Sequence, residues 1–131
     1  MKVYIAAPFE RKGEVKDLIE ELKKIGFEIS HDWTSHESID PTKQKELARK
    51  YSIEDIEGVR NSDVFILLAE DRISSGASVE LGAAILSNLE FGKPIIYVVS
   101  KTRDLMFYFH PSVKLVENVT EVLEDLKNRF K

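Results

Sequence analysis

The sequence predicts a small doubly wound α/β fold, in which a parallel sheet is covered by helices on both faces. Three observations predict it. Short apolar runs without clean alternation recur along the chain, the pattern of strands buried on both sides. Segments with apolar residues at helical spacing separate these runs, as in successive βαβ units. A length of 131 residues, 43% apolar and 32% charged, suits one compact domain over 1–131 with one sizeable core.

The elements follow in order. "KVYIAAP" (2–8) is the first strand. Between 12 and 25, Val15, Leu18, Ile19 and Leu22 recur at helical spacing, and Gly26 stops the helix. "FEIS" (27–30) is a second strand, and it runs into the polar loop "HDWTSHESIDPT" with two histidines and the only tryptophan. A helix is expected over 43–59, followed by "DVFILLA" (63–69) as the central strand. "EDRISSG" (70–76) reads as a loop and "ASVELGAAILSNLEF" (77–91) as a helix ended by Gly92. "KPIIYVVS" (93–100) and "VKLVE" (113–117) complete the strands. Asn118 or Thr120 caps a last helix, whose apolar face is Val122, Leu123 and Leu126. Five strands joined by right-handed crossovers give a flavodoxin-like sheet of order 2-1-3-4-5. Its binding crevice belongs beyond the carboxyl ends of the strands, where Tyr4, Asp32, Trp33 and the 70–80 segment can converge.

Composition removes several classes of function. A net charge of −4 with no basic stripe argues against a nucleic acid polymer as partner. The absence of cysteine excludes disulfides, thiolate metal sites and cysteine nucleophiles, and fits a reducing compartment. The longest apolar runs are strand-length, so no membrane span is expected. "MKVYIAAP" lacks the basic and apolar regions of a secretion signal, so a cytoplasmic location is expected. "GASVELG" is not a P-loop and no dinucleotide fingerprint occurs, which disfavours ATP hydrolysis and NAD-dependent redox chemistry. His31, His36 and His110 show no metal-ligand spacing, and ordinary loop or surface roles are expected of them.

Glu80 is the principal candidate for chemistry. Near the start of a helix, a glutamate can simply complement the helix dipole. Its neighbours are small, however: Gly76, Ala77 and Ser78 permit close backbone approach, and Gly82, Ala83 and Ala84 permit tight packing. They leave room for a ligand and equally allow helix-on-sheet packing. Asp55 lies within the helix of 43–59, where aspartate is a poor helix former, and solvent exposure beside Glu54 and Glu57 is its plain explanation. Were Asp55 and Glu80 to meet, a protonated acid and an ionised carboxylate would suit glycosidic cleavage. In "DLMFYFHP" (104–111), Met106, Phe107, Tyr108 and Phe109 form a cluster suited to core packing, an oligomer contact or a wall over a flat ligand.

Four blocks together carry a resemblance to a known family: "VYIAAPF", "YSIEDIEGVRNSDVFILL", "SSGASVELGAA" and the region around "DLMFYF". In that order and spacing the chain resembles the nucleoside 2-deoxyribosyltransferases, a family that also contains 2'-deoxynucleoside 5'-monophosphate N-hydrolases. The resemblance implies that Glu80 is the nucleophile at the sugar's anomeric carbon. It further implies that Asp55 orients the sugar and the nucleophile, with Tyr4 beside that carboxylate. Ser74 takes the position that contacts the sugar's 5' end, where transferases often carry Asp and the monophosphate hydrolases Ser. Phe9 falls near the base, and Met106 matches a residue lent by a neighbouring subunit, so a homodimer or dimer-built oligomer is implied.

The implied substrates are a deoxynucleoside or deoxynucleotide and a free nucleobase, in nucleotide salvage, with no metal or redox cofactor. Where the hydrolases carry Ser and Arg in the opening loop, this sequence has Pro8 and Glu10, with Arg11 one residue further on. Asp104 replaces a neighbour-subunit Ser that assists the phosphate, and its charge would repel that group. These departures favour an unphosphorylated deoxynucleoside and transfer of its sugar. Hydrolysis of a monophosphate is the alternative, and a nucleotide-binding module without turnover is a third reading. Gly76 is expected at the ligand, and Asp32 and Trp33 can pair with and stack on a base, or serve the core.

Overall fold

The computed structural model describes residues 1–69, 74–103 and 105–130. It shows a five-stranded parallel sheet with the strand order β2-β1-β3-β4-β5. The strands are β1 (Lys2–Ala6), β2 (Glu28–Ile29), β3 (Val64–Leu68), β4 (Ile95–Val99) and β5 (Val113–Val116). The helices are α1 (Lys12–Lys24), α2 (Lys45–Arg60), α3 (Ser75–Phe91) and α4 (Val119–Arg129). The flavodoxin-like order expected from the sequence is the observed one.

Burial explains the apolar runs. Every residue of β3 is buried, because it sits at the centre of the sheet between β1 and β4. Successive side chains of a strand point to opposite faces. On β1, Ile5 meets Val15 and Ile19 of α1, whereas Tyr4 points to the other side and reaches α3. On that side α2 and α3 pack against each other. The amphipathic α1 buries Val15, Leu18, Ile19 and Leu22, the four residues whose spacing marks it in the sequence.

Element ends follow local chemistry. Asn118 caps α4 in a reciprocal box with Glu121, in which the Asn118 side chain accepts from the Glu121 amide. Gly92 ends α3 at φ 76°, a left-handed conformation that costs glycine little. The start of α3 differs from expectation. Ser75 and Gly76 are helical instead of loop, because the Ser74 hydroxyl accepts a hydrogen bond from the Ala77 amide at 3.1 Å and caps the helix two residues earlier. Glu80 therefore lies in the second turn, beyond the free amides. The rest of the segment expected as a loop, residues 70–73, lies outside the described residues.

Candidate active site

A cleft of about 610 Å³ opens at the carboxyl ends of the strands, where the fold rule places ligand sites. Phe9, Trp33, Tyr51, Asp55, Ser74 and Glu80 line it, from the segments after β1 and β2 and from α2 and α3. Residues as far apart as 9 and 80 meet because neighbouring strands of the parallel sheet all release their chains at this end.

Glu80 and Asp55 face this one cleft. The Tyr4 hydroxyl donates a hydrogen bond to Oε2 of Glu80. Tyr4 is fully buried on β1 and its ring stacks on Phe65 of β3, with centroids 6.0 Å apart. Burial, then the neighbouring Glu80 and Asp55 carboxylates, raise the Tyr4 hydroxyl far above its ordinary value, so it stays a donor at any working pH. Burial pushes Glu80 up to about 7; the Tyr4 hydrogen bond opposes this and the Asp55 charge adds to it. Burial likewise lifts Asp55 to about 6, opposed by His31 and reinforced by Glu54. A second-turn glutamate serving only the helix dipole would need neither this burial nor this partner.

Gly58 is what lets α2 come so close. A Cβ built there would lie 2.7 Å from Cβ of His31 and 2.9 Å from the Tyr4 ring. The Ser30 hydroxyl also donates to the Gly58 carbonyl at 2.7 Å, tying α2 to the chain leaving β2. Asp55 sits one helical turn before this contact. A glycine in mid-helix costs about 1 kcal/mol against alanine. That cost is the sequence signal of a close approach, and it was not read from the sequence.

Trp33 is buried, and its indole N–H donates to the carbonyl of Ile5 at 2.6 Å. Its ring lies 6.3 Å from that of Phe9, and both rings line the cleft. Gly76 lines it too, with open space where a Cβ would stand. Asp32 instead serves its own turn, accepting from the Thr34 amide at 2.9 Å. Arg11 pairs with Glu14 on α1, Nε donating to Oε1 at 3.2 Å, and is absent from the cleft lining. Met106 lies on the single turn Met106–Phe109, exposed with Phe107 and Phe109 while Tyr108 is buried. Asp104 lies outside the described residues.

Two histidines also converge here. His36 lines the cleft, and its ring stacks on Tyr51 with centroids 3.8 Å apart and planes 3° apart. Its Nε2 lies 3.1 Å from Nε2 of His31, which in turn lies 3.5 Å from Oδ1 of Asp55. The five-residue separation of the histidines has no regular period, so only the folded loop reveals the cluster.

A family model described as nucleoside 2-deoxyribosyltransferase matches residues 3–128. The solved structure of a Clostridium botulinum CMP N-glycosidase, BcmB, matches with a TM-score of 0.61 at 18% identity, over 98% of this chain and 99% of that one. At that identity the likeness is one of fold. No curated protein gives a significant match. The match over nearly the whole chain places this protein in the nucleoside 2-deoxyribosyltransferase family, whose members cleave N-glycosidic bonds by transfer or hydrolysis.

Proposed function

For this member of the family we propose nucleoside 2-deoxyribosyl transfer with Glu80 as nucleophile. The observation that carries the reading is the half-buried Glu80 carboxylate, held by the Tyr4 hydroxyl in a cleft it shares with Asp55. Above pH 7 Glu80 is ionised but poorly solvated, which favours attack on an electron-poor carbon. One carboxylate oxygen bonds to the anomeric carbon as the bond to the base breaks, and the departing nitrogen takes up a proton. A second base then attacks that carbon from the vacated side, gives up its own N–H proton to replace the one taken by the first base, and releases the Glu80 carboxylate. Tyr4 holds the carboxylate in orientation, and Asp55 orients the sugar. Trp33 and Phe9 supply an apolar wall for the flat base.

The lining also bears on the phosphate. Among the described residues that line the cleft, none is lysine or arginine, whereas Glu10, Glu37, Asp55 and Glu80 are acidic. A dianionic phosphate needs donors or cations, so this wall favours an unphosphorylated deoxynucleoside. Ser74 favours a second reading, hydrolysis of a monophosphate, because it lines the cleft and matches the residue that the resemblance associates with that branch. The solved neighbour is itself named for cleaving CMP. Exposed Met106, Phe107 and Phe109 suit the homo-oligomeric contact that the family resemblance implies.

Incubation with a deoxynucleoside or its 5'-monophosphate, with and without a second base, separates the readings. The expected result is a new nucleoside formed only when an acceptor base is present. Base release from the monophosphate alone, unaffected by acceptor, would establish the hydrolase in its place.

A further inference from the structure

We propose that His31, His36 and Asp55 form a binding site for a divalent cation of the zinc class, on the wall of the cleft. Each residue offers one ligand atom, and these atoms all lie within 4.8 Å of one another. Tetrahedral zinc with bonds of about 2.0–2.2 Å has ligand–ligand edges of roughly 3.3–3.6 Å. Two of the three separations lie near that edge, 3.1 Å between the two Nε2 atoms and 3.5 Å from His31 Nε2 to Asp55 Oδ1, while His36 approaches Asp55 Oδ1 through Nδ1 at 3.8 Å. Two imidazoles with a carboxylate also match zinc in ligand type.

The unsatisfied polar atoms point the same way. Oδ1 of Asp55 is buried with no hydrogen-bond partner, although it lies 3.5 Å from His31 Nε2 and 3.8 Å from His36 Nδ1. Oε1 of Glu54 is likewise buried and unpartnered, 3.7 Å from His36 Nε2. A cation among these atoms satisfies acceptors that would otherwise carry a desolvation cost.

The ligands are held in place before any ion arrives. His36 is stacked on Tyr51, whose hydroxyl accepts from the Glu37 amide at 3.2 Å. His31 is pressed against the helix at Gly58. Such support is what a metal site needs to select an ion. An ion bound here engages the carboxylate of Asp55 and occupies the cleft wall, so it competes with the nucleoside. That consequence rests on the proposed reaction; the binding itself does not.

The full-length protein, stripped with chelator, is titrated with ZnCl2 by calorimetry and with CoCl2 by visible absorption. The expected result is one ion per chain and an intense tetrahedral Co2+ spectrum. Binding weakens at least tenfold in both His31→Ala and His36→Ala. His110→Ala should titrate like the wild type, since that ring lies elsewhere and accepts from the Ser112 amide. Circular dichroism checks each fold, and His36→Gln replaces any alanine variant that unfolds. No ion uptake by the wild type, or equal uptake by folded His36 variants, overturns the site. In a parallel assay, zinc but not magnesium should raise the apparent KM for deoxynucleoside. Zinc binding with unchanged KM would overturn the competition. An absence of turnover with any nucleoside would count against the proposed reaction, while calorimetry still decides the site.

Discussion

The hydroxyl of Tyr4, on the buried strand β1, donates to the Glu80 carboxylate on α3, joining residues 76 positions apart behind the wall of the cleft that Glu80 lines. The pair couples the rigid centre of the sheet to the group proposed to attack the sugar. Because the tyrosine stays protonated and is fully buried, it holds one carboxylate oxygen and leaves the other for the proposed attack.

Glu80→Gln keeps the shape and an acceptor for Tyr4 but removes the nucleophile. Steady-state turnover should fall by on the order of 10³-fold or more, with an unchanged circular dichroism spectrum. Turnover at the wild-type rate would remove Glu80 from the mechanism.

The same variant should change the pH dependence of stability. The folded pKa of Glu80, about 7, lies above its ordinary 4.5, so the native state holds this proton more tightly than the unfolded chain. Below pH 4.5 both states hold the proton and no cost arises. The cost grows as pH rises from 4.5 to about 7, where only the unfolded chain has ionised, and levels off once the folded carboxyl ionises too. Glu80→Gln is expected to unfold at higher urea than wild type at pH 8, by on the order of 1–3 kcal/mol, with the gap closing near pH 4.5.

Activity should show an acid limb near pH 7 as Glu80 ionises. Tyr4→Phe deletes the hydrogen bond that lowers this pKa, so the limb of kcat/KM should move to higher pH while the maximum falls. A limb that stays in place would mean that Tyr4 does not tune Glu80.

Gly58→Ala tests the close approach of α2. Alanine gains about 1 kcal/mol of helix propensity, but its Cβ meets His31 Cβ at 2.7 Å, an atom next to backbone that cannot simply swing away. Overpacking of this kind costs about 1–3 kcal/mol. Net destabilisation in urea, together with a raised KM as Asp55 shifts, is the expected pair of results.

Substituting Glu10 with lysine adds a cation to an otherwise acidic wall. The ratio of kcat/KM for a 5'-monophosphate to that for its nucleoside should rise, and more so at low salt. A ratio that stays put would place the sugar's 5' end away from Glu10.

Much of the fold was legible in the sequence because it rests on local periodicity. Val15, Leu18, Ile19 and Leu22 mark a helix by spacing, and "VFILL" marks a strand buried on both faces. The strand order followed from handedness and crossover geometry. The start of α3 was misplaced because a serine cap gives a weaker signal than the loop-like "SSG" around it.

The site was legible as a set of candidates and not as an arrangement. The residues themselves supplied the acids Glu80 and Asp55 and the aromatic Trp33, and Arg11 and Asp32 looked as eligible as any. Local contacts turn Arg11 onto Glu14, three residues on, and Asp32 onto Thr34, two residues on, whereas only the tertiary structure gathers Glu80 and Asp55 into one cleft. It also builds the cluster of His31, His36 and Asp55, which no spacing announces. The physical reason is one of range. Periodicity, capping and turn chemistry act within a few residues, whereas burial, pKa and side-chain convergence depend on where the sheet brings distant strand ends together.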